Sequence, residues 1–211
     1  MPKFIMVLIE FIKSRHQLSP ICQLIKKGEI VALPTETSYG LAADGTNAKA
    51  VAKIVGLKGR QPNKPIALLA ADLKMVRRFF IITPTELRLV KKFWPGPLTL
   101  LLKPKYKFFK NIIGPGRLVG VRVPGDKWLR ELISVYGNPL TATSANLSGQ
   151  PASYSASAVK KSLVKRGLKY LVKGGRLPRQ ATSTVVKVKN NKVEVIRPGA
   201  ISRRQIKDMV S

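Results

Sequence analysis

The sequence predicts one α/β domain over residues 1–211, built on a mixed sheet. Three observations carry that expectation. Segments with helical apolar spacing alternate with short apolar runs of strand length along the whole chain. Gly, Pro, Asn and Ser punctuate the joints between them. No long linker, repeat or low-complexity stretch interrupts the alternation, and 45% hydrophobic residues in a 211-residue chain suffice for one sizeable core.

Each element has its own signal. Residues 4–9 are apolar but are followed by Glu10 and lack the small-residue cleavage site of a secretory leader, so they read as an extra strand or a helical lead-in. Ser19-Pro20 caps a helix with the stripe Ile21, Leu24 and Ile25, and Gly28 stops it. Residues 30–33 form a buried strand that runs into the polar, turn-rich loop 34–40. Asn47 caps a helix carrying Val51, Ile54 and Val55 towards Lys58. A strand at 66–70 precedes a helix opened by Asp72, and Thr85 opens the next, which Trp94-Pro95-Gly96-Pro97 breaks. Strands at 98–102 and 119–123 are followed by a helix over 128–136 and a strand near 140–143. Ser157 opens a helix to about residue 165, strands follow at 170–172, 184–188 and 193–196, and Ser202 caps a closing helix.

Charge is lopsided: 39 Lys and Arg against 10 Asp and Glu leave +29. Such a field attracts polyanions such as RNA, DNA, nucleotides or acidic membranes, although a solvated lysine-rich surface explains it equally well. The lysines scatter (Lys26, Lys27, Lys91, Lys92, Lys160, Lys161), which favours diffuse attraction over a basic arm. One cysteine, Cys22, and one histidine, His16, exclude a disulfide framework within the chain and a Cys/His metal cluster. A nucleophile–histidine pair would have to use His16, which lies in no motif. No run approaches the roughly 20 apolar residues of a membrane span. A cytoplasmic protein with no membrane contact and no protein-held metal is expected.

A Walker phosphate loop is absent, and Gly114, Gly116 and Gly120 miss the dinucleotide spacing. Two separated polar clusters remain. Lys58-Gly59-Arg60, with Lys64 close behind, supplies fixed positive charge. Ser144-Ala145-Asn146-Leu147-Ser148-Gly149 supplies hydroxyl, amide and backbone donors. A polyphosphate site needs both together. Each has a plainer reading: cations at a helix end complement its dipole, and the serine run or Thr35 can merely cap a turn. Arg122 interrupts an apolar strand, so its guanidinium must find a partner. A bound carboxylate taken bidentately is the natural candidate, and an internal ion pair is the alternative.

Seven ordered segments together resemble the YrdC-like threonylcarbamoyl-AMP synthases, over about residues 17–205. They are Pro34-Thr35-Glu36-Thr37-Ser38-Tyr39-Gly40-Leu41, Lys58-Gly59-Arg60, Trp94-Pro95-Gly96-Pro97-Leu98-Thr99, Val121-Arg122-Val123-Pro124, Thr143-Ser144-Ala145-Asn146-Leu147-Ser148-Gly149, Ser183-Thr184-Val185-Val186 and Arg197-Pro198-Gly199-Ala200. The resemblance implies a YrdC-like twisted open sheet around a concave basic cavity. It also implies conversion of L-threonine, bicarbonate and ATP to L-threonylcarbamoyladenylate and pyrophosphate. A downstream threonylcarbamoyl transferase complex would use that product to modify tRNA, and tRNA or other RNA is a further expected contact. Lys58, Arg60, Ser144 and Asn146 would be catalytic and would bind ATP together with Lys64 and Arg197. Thr35, Arg122 and Ser183 would hold threonine. Mg²⁺ would be held mainly by ATP. The chain departs from the family pattern at Gln61, with Pro62 one place late, at Leu69 and at Thr182. The alternatives are a non-catalytic RNA-binding module of the same fold, or a carbamoyl-transferring domain of the kind embedded in much larger, cysteine-rich proteins.

Overall fold

The computed structural model describes residues 7–10, 16, 18–61 and 64–209. Eleven strands among them form one mixed sheet in the order β1-β9-β2-β3-β8-β4-β7-β6-β10-β11, with β5 pairing beside β6. The first half of the chain supplies β1 (Val7–Glu10), α1 (Leu18–Lys26), β2 (Val31–Pro34), β3 (Tyr39–Ala42), α2 (Ala48–Lys58), β4 (Ala67–Leu69), α3 (Leu73–Phe79), β5 (Phe80–Ile81), α4 (Pro84–Phe93) and β6 (Leu98–Pro104). The second supplies β7 (Val119–Arg122), α5 (Lys127–Tyr136), β8 (Leu140–Ser144), α6 (Ala156–Leu163), β9 (Tyr170–Lys173), β10 (Thr184–Lys189), β11 (Lys192–Arg197) and α7 (Arg203–Lys207).

β8 is central. It pairs antiparallel with β3 on one edge, Gly40 opposite Ser144, and with β4 on the other. β10 joins β6 in parallel, which carries the final hairpin of the chain onto the same sheet. The inner strands are largely apolar: Val31, Ala32, Leu68, Leu100, Val121, Leu140 and Leu171 are all buried. Continuous burial of this kind belongs to a sheet covered by helices. α1 presents Leu18, Ile21 and Ile25 inward and packs on α5, which offers Trp128, Leu129, Leu132 and Ile133. Cys22 sits half-buried in this seam, its thiol towards the Leu132 carbonyl, while His16 is exposed.

Several boundaries move from their predicted places. α1 begins at Leu18, so Ser19 and Pro20 lie inside the first turn, where a missing N–H leaves no hydrogen bond unmade. α4 is capped by Thr83 rather than Thr85, because Pro84 and Glu86 complete a capping box there. Ser155, not Ser157, caps α6, which stops at Leu163 and gives way to a 3₁₀ turn over Val164–Arg166. Asn47, Asp72 and Ser202 cap as expected. The largest difference is β3. Its first two residues, Tyr39 and Gly40, belong to the predicted loop, yet β3 forms a hairpin with β2, Pro34 opposite Tyr39. Tyr39 is fully buried, its hydroxyl donating to Gly175 and accepting from the Gly174 amide. Of the predicted N-terminal lead-in, Val7–Glu10 is a strand parallel to β9; residues 4–6, like Pro62, lie outside the described residues.

Candidate active site

A cavity of about 410 Å³ opens over β3, β8, β4, β7 and β6. Its polar wall includes Thr35, Glu36, Arg60, Thr99, Arg122, Thr143, Ser144, Thr182, Ser183 and Arg197, and Leu69 and Leu101 are among its apolar lining. Six predicted site residues, Thr35, Arg60, Arg122, Ser144, Ser183 and Arg197, therefore meet in one hollow. Lys58 and Asn146 lie just behind its wall, and Lys64 is exposed away from it.

The two polar clusters that are distant in sequence touch. Gly59 takes the left-handed region at φ 57° and closes α2, which turns the chain so that Arg60 reaches the cavity. Lys58, on the last turn, is 2% exposed. Its ammonium donates to the backbone carbonyls of Ser144 and, at 2.8 Å, Asn146. The Ser148 amide returns a bond to the Lys58 carbonyl at 2.9 Å. Burial, with the nearby Arg60 charge, pushes the Lys58 pKa down to about 8. The lysine thus acts as an internal cation under the serine loop. Arg60 donates to the carbonyls of Lys64 at 2.8 Å and Pro65 at 2.9 Å, so Lys64 contributes a carbonyl that orients Arg60.

The serine loop is held from several sides. The Ala145 amide bonds the Tyr39 carbonyl at 2.7 Å, and the Ser153 hydroxyl bonds the Ala145 carbonyl at 2.8 Å. Asn146 donates its side-chain amide to the carbonyls of Leu147 and Gln150, while its Oδ1 is buried and accepts nothing from the described residues. That leaves Ser144 as the loop's side chain on the cavity wall.

On the facing wall, Arg122 is 9% exposed. Its Nε donates to the Gly96 carbonyl at 3.1 Å, which the cis Trp94–Pro95 turn brings alongside, and its Nη2 pairs with Glu36 Oε1. The internal ion pair left open by the sequence therefore exists, and Glu36 is the acid that makes it. Burial and the neighbouring Arg197 hold the Arg122 pKa down to about 10, so it stays charged at neutral pH. Ser183, 7% exposed, shares a 2.8 Å bond with the Thr99 hydroxyl and accepts from Arg197 Nη2 through both its carbonyl and its hydroxyl. Gly199 makes this approach possible, because a Cβ there would overlap the backbone of Thr182 to Thr184. Thr35 accepts from the Thr37 and Ser38 amides and donates to the Ser38 carbonyl at 2.7 Å, so it caps its loop while lining the cavity.

Glu36 and Thr99 are site residues for which the sequence suggested no role. Glu36 lies in a quoted motif, but its partner is 86 residues away. Thr99 follows the proline-rich break, and only the β6–β10 pairing brings it to Ser183. Among the departures, Leu69 and Thr182 line the cavity, whereas Gln61 is exposed and does not. No group of three acidic, histidine or cysteine side chains able to hold a metal occurs among the described residues. Likewise, no helix among them is long and apolar enough to cross a membrane.

Known proteins are similar over nearly all of this chain. Residues 23–199 match the Sua5/YciO/YrdC family model, described as telomere recombination. A relative from Methanocaldococcus jannaschii is 32% identical over 192 residues, covering 89% of this chain and 90% of its own. The threonylcarbamoyl-AMP synthase of Bacillus subtilis is 34% identical over 209 residues, 98% of this chain and 60% of that one. The crystal structure of P. abyssi Sua5 complexed with L-threonine shares 30% identity at a TM-score of 0.87, again over 97% of this chain and 60% of that one. The chain thus spans about three-fifths of the length of the latter two.

Proposed function

The chain belongs to the Sua5/YciO/YrdC family, and from that membership we propose that its cavity is the active site of a threonylcarbamoyl-AMP synthase. One observation carries the reading: the Lys58–Arg60 turn and the Ser144–Asn146 loop are bonded together beside an Arg122, Ser183 and Arg197 wall. A triphosphate and a small amino acid fit that division of labour.

Threonine's amine takes up carbon dioxide from bicarbonate, releasing water and giving a carbamate. A carbamate oxygen attacks the α-phosphorus of ATP, the bond to the β-phosphate oxygen breaks, and pyrophosphate leaves. No enzyme nucleophile is needed, so catalysis rests on position and charge. Arg60, Ser144 and Arg197 face the nucleotide, and Lys58 stabilises developing phosphoryl charge from beneath the loop whose carbonyls it holds. Asn146 fixes the loop's shape. Lys64 acts through the Arg60 guanidinium. Thr35, Arg122 and Ser183 receive threonine, Arg122 taking its carboxylate. Glu36, the only acid on the wall among the described residues, is already paired with Arg122, so a Mg²⁺ ion would be held by the ATP phosphates and would supply charge neutralisation there.

The product is a mixed anhydride that feeds a transferase acting on tRNA, in the cytoplasm. Incubation with ATP, L-threonine and bicarbonate should yield threonylcarbamoyladenylate by mass and one equivalent of pyrophosphate. ATP turnover that ignores threonine would end this reading, as would salt-sensitive RNA binding with no turnover.

A further inference from the structure

The cavity wall holds three arginines and one carboxylate, Glu36. Glu36 Oε1 accepts from Arg122 Nη2 and, at 3.1 Å, from the Gly125 amide. Its second oxygen, Oε2, is buried and accepts no hydrogen bond among the described residues. A buried carboxylate oxygen without a donor is unfavourable by the full loss of its hydration. A donor brought by a ligand removes that loss.

We infer that Glu36 Oε2 is the seat of the amino-acid substrate's α-ammonium, so that Glu36 and Arg122 together form a clamp for a zwitterion. The inference rests on the proposed threonine site and adds the group that reads the amine. The argument is one of charge and valence. An amino acid brings one anion and one cation. Arg122 is spent through Nε on Gly96 and through Nη2 on Glu36, and its Nη1 has no partner among the described residues. An α-carboxylate takes Nη1, and the α-ammonium, one carbon away, takes the vacant oxygen once the partly exposed Glu36 side chain turns it into the cavity it lines, the acid staying bonded to the same guanidinium. Alternating charges then run from Arg122 to carboxylate and from Glu36 to ammonium, with the arginine–glutamate pair intact. A cavity lined by Arg60, Arg122 and Arg197 alone would bind any small carboxylate; Glu36 makes it select one that carries an α-amine. Holding the amine at a fixed oxygen also sets the nitrogen for attack on carbon dioxide once the ammonium proton has left to bulk base.

The test compares L-threonine with 3-hydroxybutyrate, which keeps the carboxylate and hydroxyl and lacks the amine, by calorimetry. Wild-type protein should prefer threonine by about 10- to 100-fold, the effect of one charge-assisted hydrogen bond to a buried group. Glu36→Gln should lose most of its threonine affinity and keep or improve its affinity for 3-hydroxybutyrate. Equal weakening for both ligands would mean that Glu36 only props Arg122 and would overturn the inference. So would equal affinity of wild-type protein for the two ligands, a comparison that needs no folded variant. Failure of wild-type protein to bind threonine at all would instead sink the proposed function.

Discussion

The Lys58 ammonium sits 2.8 Å from the Asn146 carbonyl and also bonds that of Ser144, 86 residues away, so the end of one helix and the turn after a central strand form a single unit. Neither carbonyl has its lysine partner nearby in sequence. The unit exists only because β8 lies between β3 and β4 and delivers its last residue to the end of α2.

Lys58→Met should therefore lower kcat/KM for ATP by about 10²–10³, the usual loss when one preorganised electrostatic group is removed. A pyrophosphate-release assay at varied ATP checks it. Ser144→Ala should reduce the rate with little change in melting temperature, since its side chain, unlike Lys58, is not buried.

The same lysine sets a pH dependence with two opposite signs. Its folded pKa, about 8, lies below its ordinary 10.5. Over that interval the unfolded chain holds this proton more often than the folded one, so this group's contribution to stability rises as pH climbs from about 8 to about 10.5. Under the proposed mechanism activity should run the other way, because neutral Lys58 would no longer stabilise phosphoryl charge. The kcat/KM for ATP should fall about tenfold per pH unit above about 8. The limb should be missing in Lys58→Met and should move to higher pH in kcat, where bound phosphates favour the cation.

Arg122→Ala should raise the threonine KM by about 10- to 100-fold and leave the ATP KM nearly unchanged, the loss expected for a charge-assisted bond. Initial rates at varied threonine and saturating ATP separate the two. An unchanged threonine KM would take Arg122 out of the carboxylate role.

Gly199→Ala tests the approach of β11 to Ser183. The added methyl would push against the Thr182–Thr184 backbone, at about 1–3 kcal/mol of destabilisation. In a chain of this size that lowers Tm by about 2–4 °C per kcal/mol. It should also weaken threonine binding, since Ser183 carries the Thr99 and Arg197 bonds. The control is Asn47→Ala, which removes an N-cap bonded to Lys49 and Ala50. It should lower Tm through about 1 kcal/mol and leave kcat unaltered.

Much of this arrangement is legible in the chain, and the gaps have physical causes. Helix starts at Asn47, Asp72 and Ser202 were readable because a capping side chain acts within three residues. Thr83 is not singled out because its advantage over Thr85 lies in a second bond, from its own amide to the Glu86 carboxylate. β3 was missed because Thr35–Ser38 looks like loop throughout, and Tyr39 is drawn inward only by Gly174 and Gly175, 135 and 136 residues on. For the site, residue chemistry indicated which groups bind anions. Which of them face the hollow was not readable: Lys58 and Asn146 turned out to support the wall from behind. The partner of Arg122 was unreadable for the same reason, since pairing across 86 residues leaves no local trace.

The placement of β10 and β11 has a consequence for synthesis. Ser183 immediately precedes β10 and Arg197 ends β11; β10 pairs with β6, Thr184 opposite Leu98, and β11 pairs with β10. A nascent polypeptide that has passed the ribosome only as far as β9 can assemble the Lys58 unit, yet it lacks one side of the hollow. Under the proposed mechanism such a chain would not adenylate carbamate wastefully, since turnover would wait for the final hairpin.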